Sequence, residues 1–132
     1  MTWAGLFVVF FVSHQAGDYL LQTEWQATHK RGGLGRNADS RRALLSHTFT
    51  YSVAFVPALY WVSSRLGWNA VIIAAAISLP HLLQDDGRGL QAYARNVKGL
   101  DPYANHVVMA LVDQSLHMVA LFGAALLAYA LI

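Results

Sequence analysis

Three histidine–aspartate pairs stand four residues apart in apolar stretches of this chain: His14 with Asp18, His81 with Asp85, and Asp113 with His117. A fourth apolar stretch holds His47. On a helix this spacing turns two side chains the same way. Each pair is therefore half of a metal site carried on a rigid element. Imidazole and carboxylate together suit zinc, manganese and iron. Seven donors exceed what a single zinc takes. Either two ions share the carboxylates, or some residues orient the imidazoles from outside. We read His14, Asp18, His47, His81, Asp85, Asp113 and His117 as a metal site for one or two divalent ions, zinc first and manganese or iron as alternatives. One carboxylate among Asp18, Asp85 and Asp113 is left to act as general base. Such a centre lowers the pKa of bound water to about 7 and suits hydrolysis of an ester, phosphoester or amide.

These residues must be positioned by apolar elements. The chain has 132 residues, of which 56% are hydrophobic and 12% charged, with a net charge of +2. Ordinary soluble domains carry about 25% charged residues. There is no cysteine, which excludes disulfides, thiolate sites and cysteine nucleophiles. Four apolar segments, at about 2–22, 43–63, 68–84 and 106–132, each approach the ~20 residues that cross a bilayer. This predicts one all-α domain over 1–132, a four-helix transmembrane bundle of a bacterial cytoplasmic (inner) membrane. The first segment lacks a basic leader and a cleavage site, so it is expected to be retained. Of the nine Lys and Arg residues, all but Arg65 fall in the first and third connections. The positive-inside rule then places those loops in the cytoplasm and both termini outside. Short interfacial helices are expected within the two loops.

On that topology the seven polar residues share one depth, within roughly 16 Å of the cytoplasmic face at 1.5 Å rise per residue. Each aspartate at a membrane helix centre costs about 2.5–3.5 kcal/mol, whereas an interhelical polar contact returns about 0.6 kcal/mol. Structural contacts alone do not justify three of them, so the residues are expected to converge. Gln22 extends the His14/Asp18 face and Gln114 adjoins Asp113, which makes both substrate contacts or supports. Arg41, Arg42 and Arg88 fall where an anionic lipid head group would lie. His29 and His106 read as loop or interface residues and Asp86 as a solvated helix end.

No zincin His-Glu-x-x-His string and no Gly-x-Ser-x-Gly elbow occurs. The leading expectation is a metal-dependent hydrolase acting on a lipid or membrane-proximal substrate. A proton or metal-ion transporter or channel is the second reading, disfavoured because the polar residues stop in one leaflet. A structural or regulatory membrane module is the third. No nucleic-acid partner is expected. A homo-oligomer is plausible, with small-residue surfaces at Ala74–Ala76 and Gly123–Ala125.

The run from His14 through Gly17, Asp18, Tyr19, Leu20, Leu21 and Gln22 to Thr23, a following Lys30, the isolated His47, the His81/Asp85 pair and the string Val112-Asp113-Gln114-Ser115-Leu116-His117 resemble domain-of-unknown-function family 3307. The resemblance spans Val12 to Met118. It implies a small polytopic membrane protein of bacteria or phage whose signature is its His/Asp pairs. It supplies no activity. A lysine commonly follows the pair that corresponds to His81/Asp85 in that family, where this chain has Arg88.

Overall fold

In the computed structural model, which describes residues 1–132, the chain forms seven α-helices and one π-turn. Helix α1 (Trp3–Gln15) starts at Thr2, whose hydroxyl accepts from the Gly5 amide at 3.1 Å. It runs directly into a π-turn over Ala16–Leu20, closed by a 3.0 Å bond from the Leu21 amide to the Ala16 carbonyl. Thr23 and Gln26 form a reciprocal capping box that opens α2 (Glu24–His29). The Asn37 side chain caps α3 (Ala38–Ala54). Helix α4 (Val56–Leu66) follows after one residue, with Pro57 in its first turn, where a missing N–H costs least. Helix α5 (Asn69–Asp85) continues through Pro80. Gly87, at φ +77°, turns the chain into α6 (Arg88–Asn96). A side chain would be strained in that left-handed backbone. The chain ends in the long helix α7 (His106–Leu131).

Helix α7 packs along α1 and α5, while α3 lies across α5 and the π-turn and α4 packs on α5. These contacts bury one apolar layer: Leu6 and Phe10 of α1, Tyr51 and Phe55 of the α3 end, Val62 of α4, Ile73 and Ile77 of α5, and Leu121 with Ala124, Ala125 and Ala128 of α7. The alanines let α7 approach its neighbours closely. A smaller cluster, Leu90, Ala94 and Met109, seats α6 on α7. The polar residues lie at the opposite end of the bundle from the Leu66 and Ala128 layer, one to two turns beyond Phe10 and Ile77.

The expected four-span transmembrane bundle is not what forms. Only His106–Leu131 is long and apolar enough to cross a membrane. The 2–22 segment divides into a 13-residue helix and the π-turn. Thirteen residues span about 20 Å, against a hydrocarbon core of about 30 Å. The 43–63 segment breaks at Phe55, and α4 has 11 residues. Helix α5 has 17. The multi-pass inner-membrane location, and the topology with both termini outside, fall with those spans. Composition misled because much of the apolar content stays on the surface instead of forming continuous spans. Trp68, for example, is 91% exposed. The connections between segments hold the short helices α2 and α6.

Phe10 is fully buried and its ring packs 6.2 Å from that of Phe55. Phe10→Ala should lower unfolding free energy by about 3–5 kcal/mol in denaturant titration. An unchanged midpoint would contradict this packing.

Candidate metal centre

Four side chains from three elements meet in the interior: Asp18 of the π-turn, His47 of α3, and His81 and Asp85 of α5. All are buried. His47 Nε2 lies 3.1 Å from His81 Nε2, 3.2 Å from Asp18 Oδ1 and 2.9 Å from Asp85 Oδ2. His81 Nε2 lies 3.6 Å from Asp18 Oδ1 and 3.1 Å from Asp85 Oδ2. One ligand atom from each residue falls within 4.8 Å of every other. A tetrahedron with bonds of 2.0–2.1 Å has edges of about 3.3–3.4 Å. The five distances bracket that edge, so the four residues can hold a metal ion. Hydrogen bonding alone fits the arrangement poorly. Asp18 Oδ1 is buried and makes no hydrogen bond, although His47 Nε2 is close. A buried acceptor left so is costly.

The π-turn matters here because it carries Asp18. A π-turn places an extra residue in the helix and commonly marks a functional site. It also brings Gly17 against α3. A Cβ on Gly17 would sit 2.7 Å from Tyr51 Cδ2 and 3.2 Å from Tyr51 Cα. Tyr51 is one turn after His47, and its ring stacks on His81 at 3.4 Å with planes 3° apart. Its hydroxyl lies 3.2 Å from His14 Nδ1. One tyrosine thus positions two of the histidines.

The remaining expected residues surround this group unequally. His14 sits with Nε2 3.2 Å from Gln114 Oε1 and 3.7 Å from Asp18 Oδ2. His117 donates from Nδ1 to the Asp113 carbonyl at 2.9 Å, and its Nε2 faces Asp85 Oδ1 at 3.6 Å. The Asp113 carboxylate, 24% exposed, is 3.9 Å from His117 Nδ1 and stands outside the four-residue group. Gln22 has a buried Nε2 without a hydrogen-bond partner and makes no hydrogen bond to the group. The three arginines are engaged elsewhere. Arg41 donates to the Gly35 carbonyl, Arg42 lies over the Trp25 ring, and Arg88 pairs with Asp86. Asp86 is buried rather than solvated. Its carboxylate accepts from the Leu34 amide and from Arg88, and its carbonyl accepts from the Gly32 amide. His29 and His106 are exposed, but they stand at helix ends, the last residue of α2 and the first of α7, instead of in loops.

Two further side chains contribute. Tyr51 carries a signal in the sequence, since it stands at i+4 from His47 on the same helical face. Lys30 belongs to the family pattern, but its contact with the centre has no local signal. Its Nζ donates to Asp85 Oδ2 at 2.8 Å across 55 positions of sequence, with its side chain 14% exposed. The bonds from Asp86 to Leu34 and Gly32 pin the intervening loop to the end of α5. They thereby hold Lys30 in reach of Asp85.

The electrostatics follow from burial opposed by these contacts. Burial lowers the His81 pKa to about 4, against the pull of Asp85 and Asp18, so its imidazole is neutral. Burial also disfavours the charged form of His47, but contacts with Asp18 and Asp85 outweigh it and raise the pKa. Burial pushes the Asp85 carboxyl up, yet His117, His47 and His81 together hold it below the usual carboxylate range. Burial keeps the Asp113 carboxyl above that range. Metal binding to an imidazole displaces its proton, so the raised His47 pKa makes affinity fall as pH is lowered.

Gly17→Ala should push Tyr51 off His81 and weaken metal affinity by about 5- to 150-fold in competition titration, given the ~1–3 kcal/mol that overpacking costs. Lys30→Met should act in opposite directions on the two forms. It removes the partner of a buried carboxylate and should destabilise the metal-free chain by about 3 kcal/mol. It also removes a positive charge beside the ion and should tighten metal binding by about tenfold or more. Weaker binding in Lys30→Met would contradict this placement.

No curated protein and no solved structure matches the chain. A family described as protein of unknown function (DUF3307) matches residues 6–131, nearly the whole sequence, and the chain belongs to that family.

Proposed function

We propose that this protein is a metal-dependent hydrolase whose ion is held by Asp18, His47, His81 and Asp85. The observation that carries the reading is the set of five inter-ligand distances of 2.9–3.6 Å among four buried imidazole and carboxylate atoms. Nitrogen and oxygen donors without thiolate suit zinc, manganese or iron. A divalent ion there would supply Lewis acidity and lower the pKa of a water at the site.

The chain's own groups supply the rest. Asp113 is the carboxylate outside the ligand group, partly open to solvent, and burial raises its pKa toward the range useful to a general base. It holds His117 through its backbone carbonyl, so its carboxylate is free to take a proton. Lys30 places a positive charge beside Asp85 on the partly exposed side. An anionic ester, such as a phosphoester, would find a counter-charge there. A purely structural metal is the second reading, favoured by the closure of the four-ligand set, since structural sites use all four positions.

The test is metal content followed by turnover. Protein purified without chelator should carry at least one zinc, manganese or iron ion per chain, and the loaded chain should cleave a chromogenic ester or phosphoester. Asp113→Asn should keep the metal and lose about 10²–10⁴-fold in rate. Bound metal with no hydrolysis of any ester class, and no effect of Asp113→Asn, would leave the structural reading instead. Metal at about a tenth of an ion per chain or less would sink both.

A further inference from the structure

The two aspartates each turn one oxygen toward His47 and His81 and the other toward a different histidine. Asp18 Oδ1 faces His47 and His81, while its Oδ2 lies 3.7 Å from His14 Nε2. Asp85 Oδ2 faces His47 and His81, while its Oδ1 lies 3.6 Å from His117 Nε2. The first ligand group uses one oxygen of each carboxylate, and a second pair of oxygens and imidazoles is left over.

His117 is the decisive member. Its Nδ1 donates to the Asp113 carbonyl, which leaves the lone pair on Nε2. That atom is buried and has no hydrogen-bond partner. It faces an oxygen of Asp85 across 3.6 Å, so with a neutral imidazole two lone pairs would oppose one another, and a cation or a proton between them relieves the contact. His14 completes the arrangement. Its ring centroid is 5.4 Å from that of His117, close to the 5.1 Å between His47 and His81. His14 Nε2 lies 3.2 Å from Gln114 Oε1, a contact an ion would replace, and the Tyr51 hydroxyl at Nδ1 can accept from the tautomer that then presents the Nε2 lone pair.

We propose that the chain holds a second divalent ion, bound by His14 Nε2, His117 Nε2, Asp18 Oδ2 and Asp85 Oδ1, with both aspartates bridging the two sites. This deepens the hydrolase reading and rests on the first site taking its ion. Bridged pairs of this kind stand about 3.5–4 Å apart and clamp the attacking and leaving oxygens of a phosphoester. The ligands for the second ion come from α1, the π-turn, α5 and α7, so α7 contributes a metal ligand only through it.

Manganese(II) titration followed by electron paramagnetic resonance reads this directly. Wild-type protein should bind two ions per chain and give an exchange-coupled spectrum at low temperature. His117→Ala should bind one and give the six-line signal of isolated manganese. Saturation of wild type at one ion per chain with a six-line signal would overturn the second site while leaving the first intact. Failure to bind any manganese, zinc or iron would overturn the hydrolase reading itself. Should His117→Ala not fold, the wild-type stoichiometry and coupling decide alone.

Discussion

Two carboxylates, Asp18 and Asp85, lie almost entirely out of water, and the polar half of this molecule is organised around offsetting that cost. A buried carboxylate without partners loses several kcal/mol of hydration. Asp85 is met by His47, His81 and His117 and by the ammonium of Lys30. Asp18 is met by His14, His47 and His81. The compensation is still incomplete, because Asp18 Oδ1 and His117 Nε2 keep no hydrogen-bond partner. A dication between the carboxylates and imidazoles would complete it.

That requirement explains features that packing alone would not demand. A regular helix through Ala16–Leu20 would hold the backbone without the π-turn that presents Asp18. Gly17 is small because Tyr51 lies directly against it. Tyr51 in turn stacks on His81 and reaches His14. The loop after α2 is tied by Asp86, so that Lys30 meets Asp85. The apolar layer from Leu6 to Ala128 sets the helix spacing, and the polar layer uses that spacing for chemistry.

Much of the centre was legible in the sequence because side-chain direction on a helix is local. The pairs His14/Asp18, His81/Asp85 and Asp113/His117 each declare a shared face, and the structure places six of the seven residues in mutual contact, with the Asp113 carboxylate at the edge. The pairing of Lys30 with Asp85 was not legible because its partner is 55 positions away and reached through a loop. The role of Asp86 was hidden for the same reason. Helix lengths were overestimated because hydropathy does not register the break at Phe55 or the π-turn after Gln15. Apolar residues continue across both, so composition suggested spans that the backbone interrupts. The basic residues read as a head-group face, Arg41, Arg42 and Arg88, make contacts within the chain to Gly35, Trp25 and Asp86.

Anomalous diffraction from crystals of the protein grown with zinc or manganese, collected at the metal edge, would locate the ion. A peak is expected within about 2.0–2.2 Å of His47 Nε2, His81 Nε2 and one oxygen each of Asp18 and Asp85. A map without a peak there, in crystals where the four side chains keep their positions, would contradict the four-ligand site.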